Sequence, residues 1–353
     1  MEAYINGSSC ISHYQTFVEN YFFEDAKAIP ENNFLFISDP NYKDYIPATA
    51  IRRTSHILKM GISAGLMCAK QRKGVPFDAI ITGTAMGCFE DTDKFLRSID
   101  ENDERMLTPT SFIQSTHNTV AGQLALLLKC HQYNFTYVHQ ELSFEFALLD
   151  ALMLLKEKEA QNILVGGVDE LIPSLCELFE RAGHIKQKEK LGEALHSSNT
   201  KGYIAGEGAA FFQLSTDKQP GTLTKLVGVK TSTTISSSKE LSEFVNVFTN
   251  EIGIGLNEVS AVFSGINGDT NLDKVLNEYT IGIQKPLVSF KNLCGEYFTA
   301  SAFAMWMAVK AVEKQKIPVA AIYQGEVPSE LKNILIINHS SANTYSLLCI
   351  SKC

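Results

Sequence analysis

Residues 143–155 read SFEFALLDALMLL and residues 298–312 read FTASAFAMWMAVKAV. Each segment is apolar almost all the way round a helical wheel. A helix resting on one face of a sheet needs only an apolar stripe, whereas one apolar on every side must be covered on every side. Neither approaches the ~18 consecutive apolar residues that a membrane span needs. Both are therefore expected to lie between two sheets, one helix from each half of the chain. That arrangement is an α/β fold: a five-layer αβαβα sandwich with a shared central helical layer.

The flanking sequence supports two similar halves. Short apolar runs predict strands at Phe34–Ile37, Ala79–Gly83, Phe135–Val138, Asn162–Val165 and Ala209–Leu214. Amphipathic stretches predict helices at Ile51–Lys70, Asp91–Ile99, Val120–His131, Ser143–Glu157 and Pro173–Ala182. This alternation is the pattern of a parallel α/β architecture. Asp217-Lys-Gln-Pro-Gly221 then interrupts both periodicities. Beyond it come strands at Leu223–Val229, Val259–Phe263, Leu287–Phe290, Ile334–Ile337 and Tyr345–Ile350, and helices at Leu241–Ile252 and Phe298–Val312. The division expected is residues 1–216 and a shortened second half, 222–353.

Composition narrows the class. The chain has 353 residues, 45% hydrophobic and 20% charged, with a formal net charge of -8. That supports a sizeable core and argues against disorder. With no basic run, neither nucleic acid nor an anionic membrane is an expected partner. Eight cysteines lie scattered, without a Cys-x-x-Cys pair, so no zinc site is expected. No secretory signal is apparent at the start, and a reducing, cytoplasmic setting is expected. No cofactor is implied.

Several motifs, weak singly, gain weight from their order. Tyr4-Ile-Asn-Gly7 opens the chain. Leu107-Thr-Pro-Thr110 precedes His117-Asn-Thr-Val-Ala-Gly-Gln123. Leu164-Val-Gly-Gly-Val-Asp-Glu170 and Gly202-Tyr-Ile-Ala-Gly-Glu-Gly-Ala209 follow. The last of these matches no dinucleotide or P-loop pattern, and reads as a turn in which glycine allows close backbone approach. Together the motifs resemble the β-ketoacyl synthases of the thiolase superfamily over nearly the whole chain. The resemblance implies a thiolase-like fold.

An active ketosynthase needs a cysteine at the start of the first buried helix, where the helix N-terminus favours the thiolate. It also needs two histidines for decarboxylation and donors for the developing oxyanion. The resemblance places the nucleophile at or beside Glu141, within Val138-His-Gln-Glu-Leu-Ser143, which holds no cysteine. Asn267 stands for the first histidine, in Gly265-Ile-Asn-Gly-Asp-Thr270. Glu296 stands for the second, in Lys291-Asn-Leu-Cys-Gly-Glu296. Asn338-His-Ser-Ser-Ala-Asn343 replaces a glycine-rich closing loop. The resemblance is thus to chain length factors, the non-condensing partners of active ketosynthases, in the branch linked to aryl polyene and flexirubin-type pigments. Such partners often carry glutamine at the nucleophile position, and a shift of one residue would place Gln140 there.

The individual candidates each admit two readings. Glu141 and Glu296 read as N-terminal caps of the two buried helices, or as an acid–base pair. Cys294 reads as a small buried hydrophobe or a displaced nucleophile. Ser143 reads as a helix cap or, with His139, as a hydrolytic pair. Phe144, Phe298, Phe303 and Trp306 read as ordinary core or as the wall of an acyl pocket. His117, His139 and His339 have no metal-like spacing. The strand Asn134–Val138 is implied to pair across a two-fold axis with its equivalent in a second subunit, either another copy or an active ketosynthase. Acyl carrier protein is the further partner implied. Alternative functions are a stand-alone acyltransferase or malonyl-carrier-protein decarboxylase, and a homodimeric acyl-binding protein without chemistry.

Overall fold

The computed structural model describes residues 2–47, 51, 54–72, 74–192 and 194–353. Its strands are β1 (Ala3–Ile11), β2 (Phe34–Leu35), β3 (Ala79–Gly83), β4 (Tyr133–Tyr137), β5 (Asn162–Asp169), β6 (Ala205–Gly206) and β7 (Gly208–Ser215). They continue with β8 (Thr224–Ser232), β9 (Ala261–Ser264), β10 (Leu287–Ser289), β11 (Ile322–Gln324), β12 (Asn333–His339) and β13 (Tyr345–Lys352). The main helices are α1 (His56–Lys70), α2 (Phe89–Glu101), α3 (Pro109–Gln114), α4 (Thr119–Leu128), α5 (Ser143–Glu157) and α6 (Pro173–Arg181). The second half adds α7 (Ser238–Ile252), α8 (Lys274–Thr280), the single turn α9 (Lys291–Cys294) and α10 (Ala300–Lys314). Part of the helix expected from Ile51, at residues 52 and 53, lies outside the described residues.

Hydrogen bonding joins eleven strands in the order β11-β10-β9-β12-β13-β8-β1-β7-β5-β3-β4. The order is the same on either side of one seam. In the first half, β4-β3-β5-β7-β1 runs third, second, fourth, fifth, first in chain order; in the second half, β10-β9-β12-β13-β8 does the same. The seam is the antiparallel pair β1–β8, with Ala3 opposite Leu226 and Ile5 opposite Thr224. The two halves are thus the same topological unit joined through their first strands.

The pleat sends alternate side chains to opposite faces, and the burial follows. On the inner face, Ala79, Ile81, Ile163, Val165, Ile334, Ile336, Leu348 and Ile350 meet α5 and α10 in one large core. On the outer faces, Ile80 and Leu164 meet α1 and α4, while Val262, Leu335 and Leu347 meet α7 and α8. Helix α10 packs against β1, β5 and β7 of one half and β8, β12 and β13 of the other. That two-sided contact is why its sequence has almost no polar face. The five layers are α1/α4, the first sheet region, α5/α10, the second sheet region, and α7/α8.

Close backbone approach sets the entry of α5. A Cβ at Gly83, the last residue of β3, would lie 2.5 Å from the carbonyl carbon and oxygen of Ser143 and 2.6 Å from the nitrogen of Phe144. These are backbone atoms at the start of the helix and cannot swing aside. Gly83→Ala is expected to lower unfolding free energy by about 2–4 kcal/mol. Gly122→Ala, in α4 with nothing within 4 Å of the added carbon, is expected to leave it unchanged or raise it by up to ~1 kcal/mol. Urea unfolding of the two variants checks both signs.

Candidate functional site

The candidate residues converge at one end of the central helical layer. Asn267 follows β9, Glu296 follows α9, and His339 ends β12. Asn267 Nδ2 donates to Glu296 Oε2 at 2.7 Å, and Lys291 Nζ donates to the same oxygen at 2.6 Å. Lys291 also donates to the carbonyl of His339 at 2.5 Å. Lys291 is fully buried and Glu296 nearly so. The two charges form a desolvated pair whose geometry is completed by an amide and a carbonyl.

Two serines connect this pair to the first half. Ser340 Oγ lies 3.4 Å from Glu296 Oε1, and Ser341 Oγ donates to Glu141 Oε2 at 2.9 Å. The loop after β12 thereby brings Glu141 and Glu296 into one neighbourhood, although 155 positions separate them in the chain. Behind it, His339 Nε2 is 2.8 Å from Asp273 Oδ1, and Asp273 accepts the backbone N–H groups of Asn267 (3.0 Å) and Gly268 (2.7 Å). This buried carboxylate fixes the turn that presents Asn267.

The capping roles expected for Glu141 and Glu296 are not found. Helix α5 begins after Leu142 and α10 after Thr299, and neither helix has a side-chain cap bond. Glu296 is turned toward Lys291 because a buried ammonium needs a counter-charge more than a helix end needs an acceptor. The carboxylate beside the start of α10 is instead Asp169, at the end of β5. It accepts from Thr299 N (3.0 Å) and Thr299 Oγ1 (2.8 Å), and also from Ala85 N (2.8 Å) and Thr84 Oγ1 (3.1 Å). Burial pushes its pKa up, and the hydrogen bonds only partly offset this. Nothing in the local sequence of Asp169 signals this role, because its partners lie far off in the chain.

Ser143 is also not a cap. Its hydroxyl accepts from His139 N and donates to the Gln140 carbonyl, each at 2.9 Å, closing the turn that precedes α5. The hydroxyl is therefore bonded to backbone, not to an imidazole; the His139 ring packs edge-on against Phe146. In that turn Gln140 has φ +47°. A left-handed conformation in a non-glycine residue is uncommon and costs energy. The strained position is thus Gln140, not Glu141, and its side chain is exposed.

Cys294 is fully buried within the apolar core, and burial pushes its thiol well above the ordinary value. A neutral, solvent-free thiol is a poor nucleophile. Phe144 and Phe303 are fully buried, packed against Phe212 and Phe23 respectively. Of the four aromatic candidates only Phe298 lines the cavity beside Glu296, together with Asp169, Glu170, Tyr203 and Ser340. That cavity measures about 40 Å³, room for a water or two and not for an acyl chain. Trp306 faces a different cavity, two turns further along α10. Among the described residues no cluster of three or more His, Cys, Asp or Glu is arranged to hold a metal.

The turn carrying Glu296 is locked by the glycine motif. Glu296 N donates to Ile204 O at 2.7 Å and Gly206 N to Glu296 O at 2.8 Å. A Cβ on Gly206 would overlap the carbonyl oxygen of Cys294. Glu207, next in the motif, is fully buried and accepts from Ile37 N (3.0 Å), Leu171 N (2.8 Å) and His56 Nε2 (2.9 Å). Glu170 accepts the N–H groups of Ile57 (3.0 Å) and Glu90 (2.8 Å), at the starts of α1 and α2. These two carboxylates tie the glycine turn and two outer helices to the site.

Two expectations follow. Glu296→Ala leaves Lys291 buried without its counter-charge and should cost about 3–5 kcal/mol, while Lys291→Met/Glu296→Leu together should cost far less. A double-mutant cycle by urea unfolding reads the coupling. Burial raises the Glu170 pKa from 4.5 to about 7, against the pull of its backbone donors and His56. Between those pH values the folded chain holds more protons than the unfolded one, so this group's contribution is full below pH 4.5 and is lost as pH rises through 7. Glu170→Gln should abolish that decline, as measured by unfolding free energy at pH 4.5–7.5.

Comparison with known proteins places these features. Residues 30–234, more than half of the chain, match the model of the β-ketoacyl synthase N-terminal domain. No curated protein sequence matches. Among solved structures, the ishigamide ketosynthase/chain length factor is similar with a TM-score of 0.83 at 15% identity, covering 100% of this chain and 99% of that one. A type II polyketide synthase acyl-carrier protein in complex with its ketosynthase (AntDE:AntF) gives 0.76 at 17%, covering 100% and 99%. A ketosynthase in complex with its chain length factor from Xenorhabdus doucetiae gives 0.74 at 16%, covering 99% and 98%. At these identities the structures speak for a shared thiolase-like fold, and the sequence match speaks for the family: the chain belongs to the β-ketoacyl synthases.

Proposed function

We propose that this chain is a non-condensing ketosynthase subunit, a chain length factor, that pairs with an active β-ketoacyl synthase during polyketide or fatty-acid-type elongation on acyl carrier protein. The observation that carries the reading is the Lys291–Glu296–Asn267 cluster. At the two positions where the resemblance expects histidines, Asn267 and Glu296 are bonded to each other, and Glu296 is committed to neutralising a buried lysine. Gln140 occupies the strained turn before α5, so we assign it, in preference to Glu141, to the nucleophile position. Seven cysteines are buried and Cys353 is half-buried, which leaves no exposed thiol to take an acyl group there. The halves act as units 1–216 and 222–353. Eight free cysteines and the absence of any described helix able to cross a membrane fit a cytoplasmic setting.

The pairing surface is supported by an open sheet edge. Among the described residues, strand β4 ends the strand order and pairs with β3 alone. Its aromatic residues are solvated: Tyr133 is 40% exposed and Phe135 46%, their rings stacked 6.1 Å apart. Helix α4, which packs on β4, exposes Leu126 and Leu127. A free strand edge beside an apolar face is a liability unless a partner covers it. The structures that resemble this chain include a ketosynthase held by its chain length factor, and we assign the same kind of partner here.

The test is co-expression with a ketosynthase that retains Cys-His-His, followed by intact-mass measurement after incubation with malonyl- and acyl-loaded carrier protein. The complex should co-purify, with the acyl adduct on the partner alone. Phe135→Lys should reduce co-purification by about tenfold, because an unpaired charge enters the buried edge. A stable adduct on this chain, abolished by one substitution, would overturn the reading in favour of an acyltransferase.

A further inference from the structure

The open face of β4 is aromatic, with a carboxylate over its middle. Tyr133, Phe135 and Tyr137 alternate along the strand with Asn134 and Thr136, so they point to one side of it. Their rings form a row, Tyr133 against Phe135 at 6.1 Å and Phe135 against Tyr137 at 4.9 Å. Asn134, turned the other way, bonds to the Ala121 carbonyl of α4 at 3.0 Å. Helix α5 packs on β4 from the aromatic side. Its residues 146, 150 and 153 follow the i, i+4, i+7 spacing and share one flank. On that flank Phe146 meets the Tyr137 ring at 6.3 Å, Asp150 meets Tyr133, and Met153 is exposed.

Asp150 is half-buried in this apolar setting. Tyr133 Oη donates to Asp150 Oδ2 at 3.0 Å, and the Tyr137 hydroxyl also acts on the carboxylate. Two tyrosines four positions apart reach one carboxylate, so it lies over the middle of the strand. No cation pairs with Asp150 among the described residues, and the other carboxylate acting on Tyr133 is Glu159, of the same sign. Burial raises the Asp150 pKa, and the two hydroxyls only partly offset this. A subunit covering the face would strip the remaining water from this ion, which is costly unless that subunit brings a counter-charge. A second copy of this chain does not bring one. In a two-fold contact through β4 the strands run antiparallel about their middle, with the axis perpendicular to the sheet. Both α5 helices then lie side by side on one face, and Asp150 is turned toward its own copy. Lys129, four residues before β4, falls beyond the end of the opposite strand.

We propose that Asp150 selects the partner: the β4 face accepts a ketosynthase subunit that sets a cationic side chain opposite the middle of β4, and it rejects a second copy of this chain. A guanidinium serves best, because it bonds a carboxylate through two N–H groups and also lies on tyrosine rings. Like charges facing each other at the centre of a two-fold contact suppress the wrong pairing. Naming a ketosynthase rests on the pairing role proposed above, whereas the exclusion of a second copy rests on this chain alone.

Sedimentation velocity on the purified full chain, at about pH 8 and so far above the ordinary carboxylate range, reads the exclusion. Asp150→Asn is expected to self-associate at least about tenfold more tightly than the wild-type chain, and Asp150→Glu to behave as wild type. Equal self-association of wild type and Asp150→Asn, both monomeric or both dimeric, would overturn the exclusion. Co-expression with a ketosynthase that retains Cys-His-His reads the acceptance. Recovery of the complex should fall about tenfold with Asp150→Asn and be kept by Asp150→Glu, with far-ultraviolet circular dichroism unchanged in both. Recovery untouched by Asp150→Asn would overturn the cationic contact. A wild-type chain that retains no ketosynthase, while Asp150→Asn alone dimerises, would sink the pairing role and leave the exclusion standing.

Discussion

Helices α5 and α10 have almost no polar face, and much of the molecule follows from the need to cover them; α10 is buried along nearly its whole length, whereas α5 leaves Met153 on an open flank. A single sheet shields one side of a helix; two are required here, and the chain supplies them by using one topological unit twice. The β1–β8 seam makes the two sheet regions continuous through their first strands, while α10 touches both. Side chains of the inner faces then fill the space around the helices in one core. The outer helices complete the layers over what the pleat turns outward.

The same constraint locates the site. Loops that follow β5, β9 and β12, and the turn before α5, all reach the end of the central layer where α5 and α10 begin. Polar groups there are shielded by the sandwich, so each needs a partner. Polar side chains meet in pairs: Lys291 with Glu296, His339 with Asp273. Asp169, buried and without a cationic partner among the described residues, is held by five donors. The cavity beside Glu296 measures about 40 Å³, and that carboxylate is committed to a buried lysine.

Architecture was legible because it is written in local pattern. The helix 143–157 and the strand 79–83 follow directly from hydrophobic spacing, and the all-round apolar helices required a five-layer fold. Family membership was legible in Gly202–Ala209 and Leu164–Glu170, where close packing restricts residue choice: Gly206 touches the Cys294 carbonyl. The loss of cysteine and histidine from the expected positions could also be read directly, since it is a matter of residue identity.

What the sequence determined by itself was therefore composition-driven: which segments are buried, how many layers they demand, and which reactive side chains are missing. Tertiary structure alone decided who bonds to whom. Glu296 reads locally as a helix cap and is in fact the counter-ion of Lys291; the start of α10 is held by Asp169, 130 residues away. Ser340 and Ser341 join the two halves through carboxylates that no spacing rule connects. Gln140 rather than Glu141 takes the strained turn, a fact of backbone dihedrals. Burial creates an electrostatic demand that only three-dimensional proximity can satisfy, and side-chain partners brought together from distant strands leave no periodic trace in the chain.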